Sequence, residues 1–204
     1  MAISWRPVAG RIFAGIGNLI LEKPARVGLL TGPKTLIYVH PPDVSLAADN
    51  LAKIRTGLMG PNEPVLTMQE SEAATFGGFS SLLQLLAKPG QPASDRFILT
   101  GSGAKSCLHQ AFSLIIKETL KHSLRPIEFY FPLDSIHEYY EDGEESAKRV
   151  LFYLKSYQSE ARRLGFSSAT WLDDTLLNRR RIENPLVRIR LYSTTDKLLQ
   201  ILSY

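Results

Sequence analysis

Residues 97–131 read FILTGSGAKSCLHQAFSLIIKETLKHSLRPIEFYF, and this stretch decides the fold. Phe97 to Thr100 is a short β-rich run that breaks at Gly101-Ser102-Gly103. Leu108, Ala111, Phe112, Ile115, Ile116 and Leu120 then recur at spacings of three and four, the period of a helix with one buried face. Pro126 closes the connection before a second apolar run, Ile127 to Phe131. A strand, a helix-sized segment and a strand make a βαβ unit, whose strands pair in parallel.

The same alternation extends towards the N-terminus. Thr35 to Val39 reads as a strand stopped by His40-Pro41-Pro42, because proline cannot extend a sheet ladder, and Asp43 or Ser45 then caps a helix through about Thr56. Val65 to Met68 is a further strand, followed by a helix from about Ser71 to Ala87 that Gly77-Gly78 interrupts and Pro89-Gly90 ends. The apolar runs on either side of Thr31-Gly32-Pro33-Lys34 predict a hairpin over Arg26 to Val39. At the N-terminus, Val8, Ile12, Ile16, Leu19 and Ile20 predict an amphipathic helix that packs on the core. The run is too short to span a bilayer and lacks a cleavage pattern, so it reads as retained structure.

Towards the C-terminus, Asp134 to Glu145 carries six acids with no lysine or arginine among them, which predicts a solvated loop with a short helix. A helix over about Glu144 to Leu164 follows, with Ala147, Val150, Leu151, Leu154, Tyr157 and Ala161 on one face and Gly165 at its end. A shorter helix is expected over Trp171 to Arg180. Leu186 to Leu191 alternates apolar and basic residues, the pattern of a strand with one wet face at a sheet edge. A last helix begins at Thr195. The expectation is one α/β domain over 1–204: a three-layer α/β/α sandwich with a mainly parallel or mixed sheet, an N-terminal amphipathic helix and a C-terminal helical and strand extension.

Composition narrows the class of function. With 44% hydrophobic and 22% charged residues, the 204-residue chain has the balance of an ordinary folded domain rather than a disordered one. A net charge of +4 lacks the concentrated stripe of a dedicated nucleic-acid binder. One cysteine, Cys107, permits no intramolecular disulfide and fits a reducing, cytoplasmic setting.

The turn Thr100, Gly101, Ser102, Gly103, Ala104, Lys105, Ser106 is the leading ligand-binding candidate. Glycines let a main chain approach a ligand, the first N–H groups of a helix point outward, and the helix dipole favours an anion there. It matches neither of the familiar phosphate motifs. The G-x-x-x-x-G-K-[ST] form would need glycines where Leu99 and Ala104 stand, and G-x-G-x-x-G would need one at Ser106. Cys107 sits near the helix start, but His109 two residues on faces another side, and a partnership with distant His40 cannot be read from sequence. His137-Glu138-Tyr139-Tyr140-Glu141 has glutamate where the zinc signature H-E-x-x-H has its second histidine. Asp173-Asp174 reads as a helix cap. Neither metal nor cofactor is expected.

Lys148, Lys155 and Arg162 recur every seven residues, flanked by Arg149 and Arg163, with Arg179-Arg180-Arg181 beyond. They form a candidate partner-binding surface. Because every catalytic constellation lacks a member, the expectation is a non-catalytic binding or adaptor subunit of a cytoplasmic assembly with a protein partner and no transmembrane segment. A nucleotide- or phosphate-ligand-binding protein using the Gly101–Ser106 turn comes second, enzymatic or not, and a nucleic-acid-associated subunit third.

Overall fold

In a computed structural model of the chain, the described residues are 29–40, 45–68, 79–86, 95–122, 124–137, 143–173, 175–177 and 182–202. In chain order they form β1 (Lys34–Val39), α1 (Ser45–Leu58), β2 (Val65–Met68), α2 (Ser80–Leu86), β3 (Arg96–Ser102), α3 (Cys107–His122), β4 (Ile127–Pro132), β5 (Ile136–His137), α4 (Gly143–Arg163), β6 (Ser168–Leu172), β7 (Thr175–Leu176), β8 (Val187–Tyr192) and α5 (Thr195–Leu202). The eight strands make one sheet in the order β2-β1-β3-β4-β8-β6-β7, with β5 added alongside β3. Every pairing is parallel except β6 with β7. This is the α/β sandwich expected from the alternation.

Side chains alternate across a strand, so each central strand feeds two cores. On one face Ile37, Phe97, Leu99, Phe129, Phe131 and Ile189 meet Leu82 of α2, the Leu108–Leu120 stripe of α3, and Val150, Leu154 and Tyr157 of α4. Phe112 is the hub, its ring 4.6 Å from Phe129 and 4.8 Å from Tyr157. On the other face Leu36, Ile98, Tyr130 and Tyr192 meet Ile54 and Leu58 of α1 and Leu198 of α5.

That second face also carries charge. Arg96, Glu128, Arg188 and Arg190 are all buried, and the register sets Arg96 beside Glu128, Glu128 beside Arg188 and Tyr130 beside Arg190. Glu128 accepts hydrogen bonds from Arg190 Nε, from the Tyr130 hydroxyl at 2.6 Å and from Leu30 N at 3.0 Å. Arg96 Nε donates to the Tyr130 hydroxyl at 3.1 Å, and the Arg190 guanidinium lies 4.7 Å from the Trp171 ring centroid. Burial, with the Glu128 charge, pushes the Tyr130 phenol far above its usual range, so it stays protonated and donates. Burial works against the Arg190 charge, but the charge and hydrogen bond of Glu128 outweigh it and raise its pKa.

Four expectations are corrected. β1 has parallel neighbours on both sides, β2 and β3, so no antiparallel hairpin partner fits beside it, and Leu29 to Pro33 carries no strand. Trp171 and Leu172 end a strand rather than begin a helix; Asp173, at φ 43°, turns the chain into β7. β8 is no edge strand: it lies between β4 and β6 with both faces buried, its Arg190 paired with the buried Glu128. The acidic segment is not solvated throughout either. Asp134 Oδ1 accepts from Thr195 N and Thr195 Oγ1, both at 2.7 Å, and the short helix is a 3₁₀ turn at Leu133–Ser135. The N-terminal helix over 8–20, the Ser71 cap, Gly77-Gly78, Pro89-Gly90 and Arg179-Arg180-Arg181 lie outside the described residues.

Candidate functional site

β1 leads to β2 on one side of the sheet, whereas β3 leads to β4 on the other. The carboxyl ends of β1 and β3 therefore diverge in their connections, and such a switch point leaves a crevice where open α/β sheets bind ligands. His40 follows β1 there. It is buried, its backbone is left-handed at φ 50°, and its N–H donates to Met68 O at 2.9 Å, so the end of β2 holds it. On the other flank of β3, β5 takes the place of β4, pairing Gly101 with Ile136 and Ser102 with His137. Val39 pairs with Gly101. His40 and His137 thus stand on opposite sides of the end of β3, each about 4.8 Å from it in backbone spacing. Sequence reasoning named both histidines without joining them. The signal at His40 was the β-rich run before it; His137 follows a turn, and strand order is what brings the two together.

The structure places the predicted turn residues at this point and divides their roles. Thr100 is wholly buried, and its hydroxyl has no hydrogen-bond partner. Gly101 has φ 108°, and a Cβ there would lie 1.8 Å from Val39 O, so this glycine is required by the sheet itself. Ser102 is buried in the strand. Gly103, at φ 78°, donates its N–H to His137 O at 3.0 Å, and its carbonyl accepts from Ser106 N and Leu108 N at 2.9 and 3.0 Å. That closes the turn and starts α3. Lys105 and Ser106 are exposed at the mouth, with Lys105 Nζ 5.8 Å from the centroid of the Tyr153 ring. Cys107 is half-buried against the main core, and the His109 ring lies on Tyr157 at 4.7 Å.

The remaining candidates are spread over the molecule. His137 lies on a strand rather than a helix; Glu138 to Glu141, the rest of its zinc-like motif, lie outside the described residues. Among the described residues no group of three or more His, Cys, Asp and Glu side chains could hold a metal ion. Asp173 accepts from Ser193 N at 2.9 Å instead of capping a helix, and Asp174 lies outside the described residues. On α4, Arg162 is exposed and Lys148 and Lys155 are half-buried, with burial lowering the pKa of Lys155. Between them stands Phe152, 68% exposed and set edge-on to Tyr153. Sequence reasoning missed it, although its place off the Val150, Leu151, Leu154 face was the available signal.

Among the described residues no helix is long and apolar enough to cross a membrane. No protein-family model, no curated protein and no solved structure matches the chain.

Proposed function

We propose that the protein binds a small phosphate-bearing ligand, a nucleotide or a simpler phosphate, in the crevice at the carboxyl ends of β1, β3 and β5. The observation that carries this reading is that His40, the α3 N-terminal turn and His137 stand around the carboxyl end of β3, beside the switch point between β1 and β3. A left-handed backbone at a non-glycine residue costs on the order of 1 kcal/mol, and such strain persists chiefly where a site needs a side chain held there. The positive end of the α3 dipole, the Lys105 ammonium and two imidazoles supply attraction and hydrogen bonds for an anion. Thermal unfolding with ATP, pyrophosphate and orthophosphate tests the reading. A ligand at a hundred times its Kd stabilises the native state by about 2.7 kcal/mol, and Lys105→Ala, at an exposed position, reduces that response without changing the unliganded Tm. No shift with any of the three at saturating concentration removes the reading.

A second reading, a protein-binding or adaptor subunit, is favoured by the α4 surface. Phe152 stands exposed among Lys148, Arg149, Lys155 and Arg162, the composition of a dock for an acidic segment with an apolar anchor. Affinity purification from native cells with wild type and a Lys148→Glu, Lys155→Glu, Arg162→Glu variant separates the readings. A stoichiometric partner lost in the variant supports the adaptor, and an unaltered set of bound proteins argues against it. The single cysteine supports a cytoplasmic setting for either function.

A further inference from the structure

A second site with its own chemistry lies away from the crevice, on the helical layer. Phe79 before α2, one side of α3 and the end of α4 enclose an open cleft of about 410 Å³, within the size range of small-ligand sites. His109, Ser113 and Lys117 recur every four residues along α3 and so stand in one row. Opposite them, Glu160 is fully engaged. Its Oε1 accepts from Ser113 Oγ at 3.1 Å and from Arg163 Nη2 at 2.7 Å, and its Oε2 accepts from Arg163 Nε at 2.7 Å. His109 is different. Its ring packs on Tyr157 and Phe112, and its Nε2 is buried with no hydrogen-bond partner. Buried polar atoms in native proteins are nearly always paired, so an unpaired imidazole nitrogen beside the cleft, which a small turn of the ring brings to its wall, is the place for a partner from outside.

We propose that this cleft binds a small carboxylate with an aromatic or branched apolar body, its oxygens accepting from His109 Nε2–H and the Lys117 ammonium while the body lies on Phe79 and Leu114. Charge selects the class. Glu160 is neutralised by Arg163, which leaves Lys117 as the surplus charge lining the cleft, so an anion is favoured over a cation or a neutral amide. One surplus cation and one imidazole suit a singly charged group with two oxygens; a phosphate dianion would bring unmatched charge up against Glu160. Burial lowers the His109 pKa, against the opposing charge of Glu160 and with Arg163 adding to it, which keeps the imidazole neutral at pH 7.

The test uses the full chain labelled with ¹⁵N-histidine, in which four imidazoles report separately. Benzoate is titrated against benzamide and benzylamine, its neutral and cationic counterparts. Benzoate moves the His109 Nε2 resonance saturably with a Kd on the order of 1–10 mM, as expected for so small a ligand, and benzamide binds roughly tenfold more weakly. His109→Phe, which preserves the stacking on Tyr157, abolishes benzoate binding in ligand-observed saturation transfer. Lys117→Ala, at an exposed position, weakens it several-fold without unfolding the chain. An unmoved His109 resonance, equal binding of benzamide, or benzoate binding retained in His109→Phe would each overturn the proposal. Phosphate binding at the crevice involves none of these residues, so either site can fail alone.

Discussion

Two groups of polar side chains on the sheet are built on opposite terms. Towards the amino ends of the central strands, Arg96, Glu128, Tyr130 and Arg190 are cross-linked to one another and to the Leu29–Gly32 segment. At the carboxyl ends, His40, Thr100, Ser102 and His137 gather around a turn whose hydrogen bonds close the backbone: Gly103 to His137, and Ser106 and Leu108 to Gly103. The first group is a lock that holds three strands in register. The second gathers side chains around the carboxyl end of β3, where backbone hydrogen bonds close the turn. Substitutions in the first should therefore act on stability, and substitutions in the second should be separable into backbone effects and ligand effects.

The largest effect is expected in the lock. Glu128→Ala leaves Arg190 buried without its carboxylate and should cost about 3–5 kcal/mol in urea unfolding, since removing one partner of a buried pair costs more than the pair contributes. A loss below about 1 kcal/mol would mean that the network is not closed as described. Gly101→Ala should follow, at about 3 kcal/mol, because a Cβ would meet Val39 O in a backbone conformation that alanine rarely adopts. A stable Gly101→Ala protein would show instead that the glycine serves a ligand.

The pH dependence sharpens the contrast on the helical layer. The His109 pKa is lowered by burial, against Glu160 and with Arg163, so the native state binds fewer protons than the unfolded chain just below the ordinary histidine range. Stability is then fully present above about pH 6.5 and is lost as the pH falls through the lowered value. His109→Phe should flatten that acid limb relative to wild type, and superimposable pH–stability curves would contradict the burial of the ring. The smallest change in stability belongs to the surface of α4. Phe152→Ala should leave unfolding within about 0.5 kcal/mol of wild type while weakening capture of any acidic partner.

Much of this architecture was legible in the sequence. The 3.6-residue period from Leu108 to Leu120 and the Pro and Gly stops around it defined β3, α3 and β4, since local pattern dictates local structure. What failed was non-local. The Leu186–Leu191 alternation reads as wet because arginine is ordinarily solvated, and the partner of Arg190, Glu128, lies 62 residues earlier in the chain. Trp171 to Arg180 reads as a helix because the hairpin partner at Thr175–Leu176 is too short to show a period. The turn was found by its glycines, and strand order adds what spacing could not show: Gly101 answers to Val39 on a neighbouring strand. His40 and His137 stayed separate for the same cause, strand order being invisible in spacing.

The crevice as a ligand site stands or falls most directly on His40→Gly, read for stability and for ligand response in the same samples. Glycine relieves the left-handed backbone at position 40 and removes the whole side chain, methylene and imidazole. The account predicts that the variant unfolds in urea with a free energy within about 1 kcal/mol of the wild type, the relieved backbone offsetting the lost side chain, while losing the thermal shift that phosphate ligands give the wild type. A variant that is clearly less stable, or that keeps the full ligand shift, would contradict it, because His40 would then be a packing residue and its strained backbone would serve the fold rather than the site.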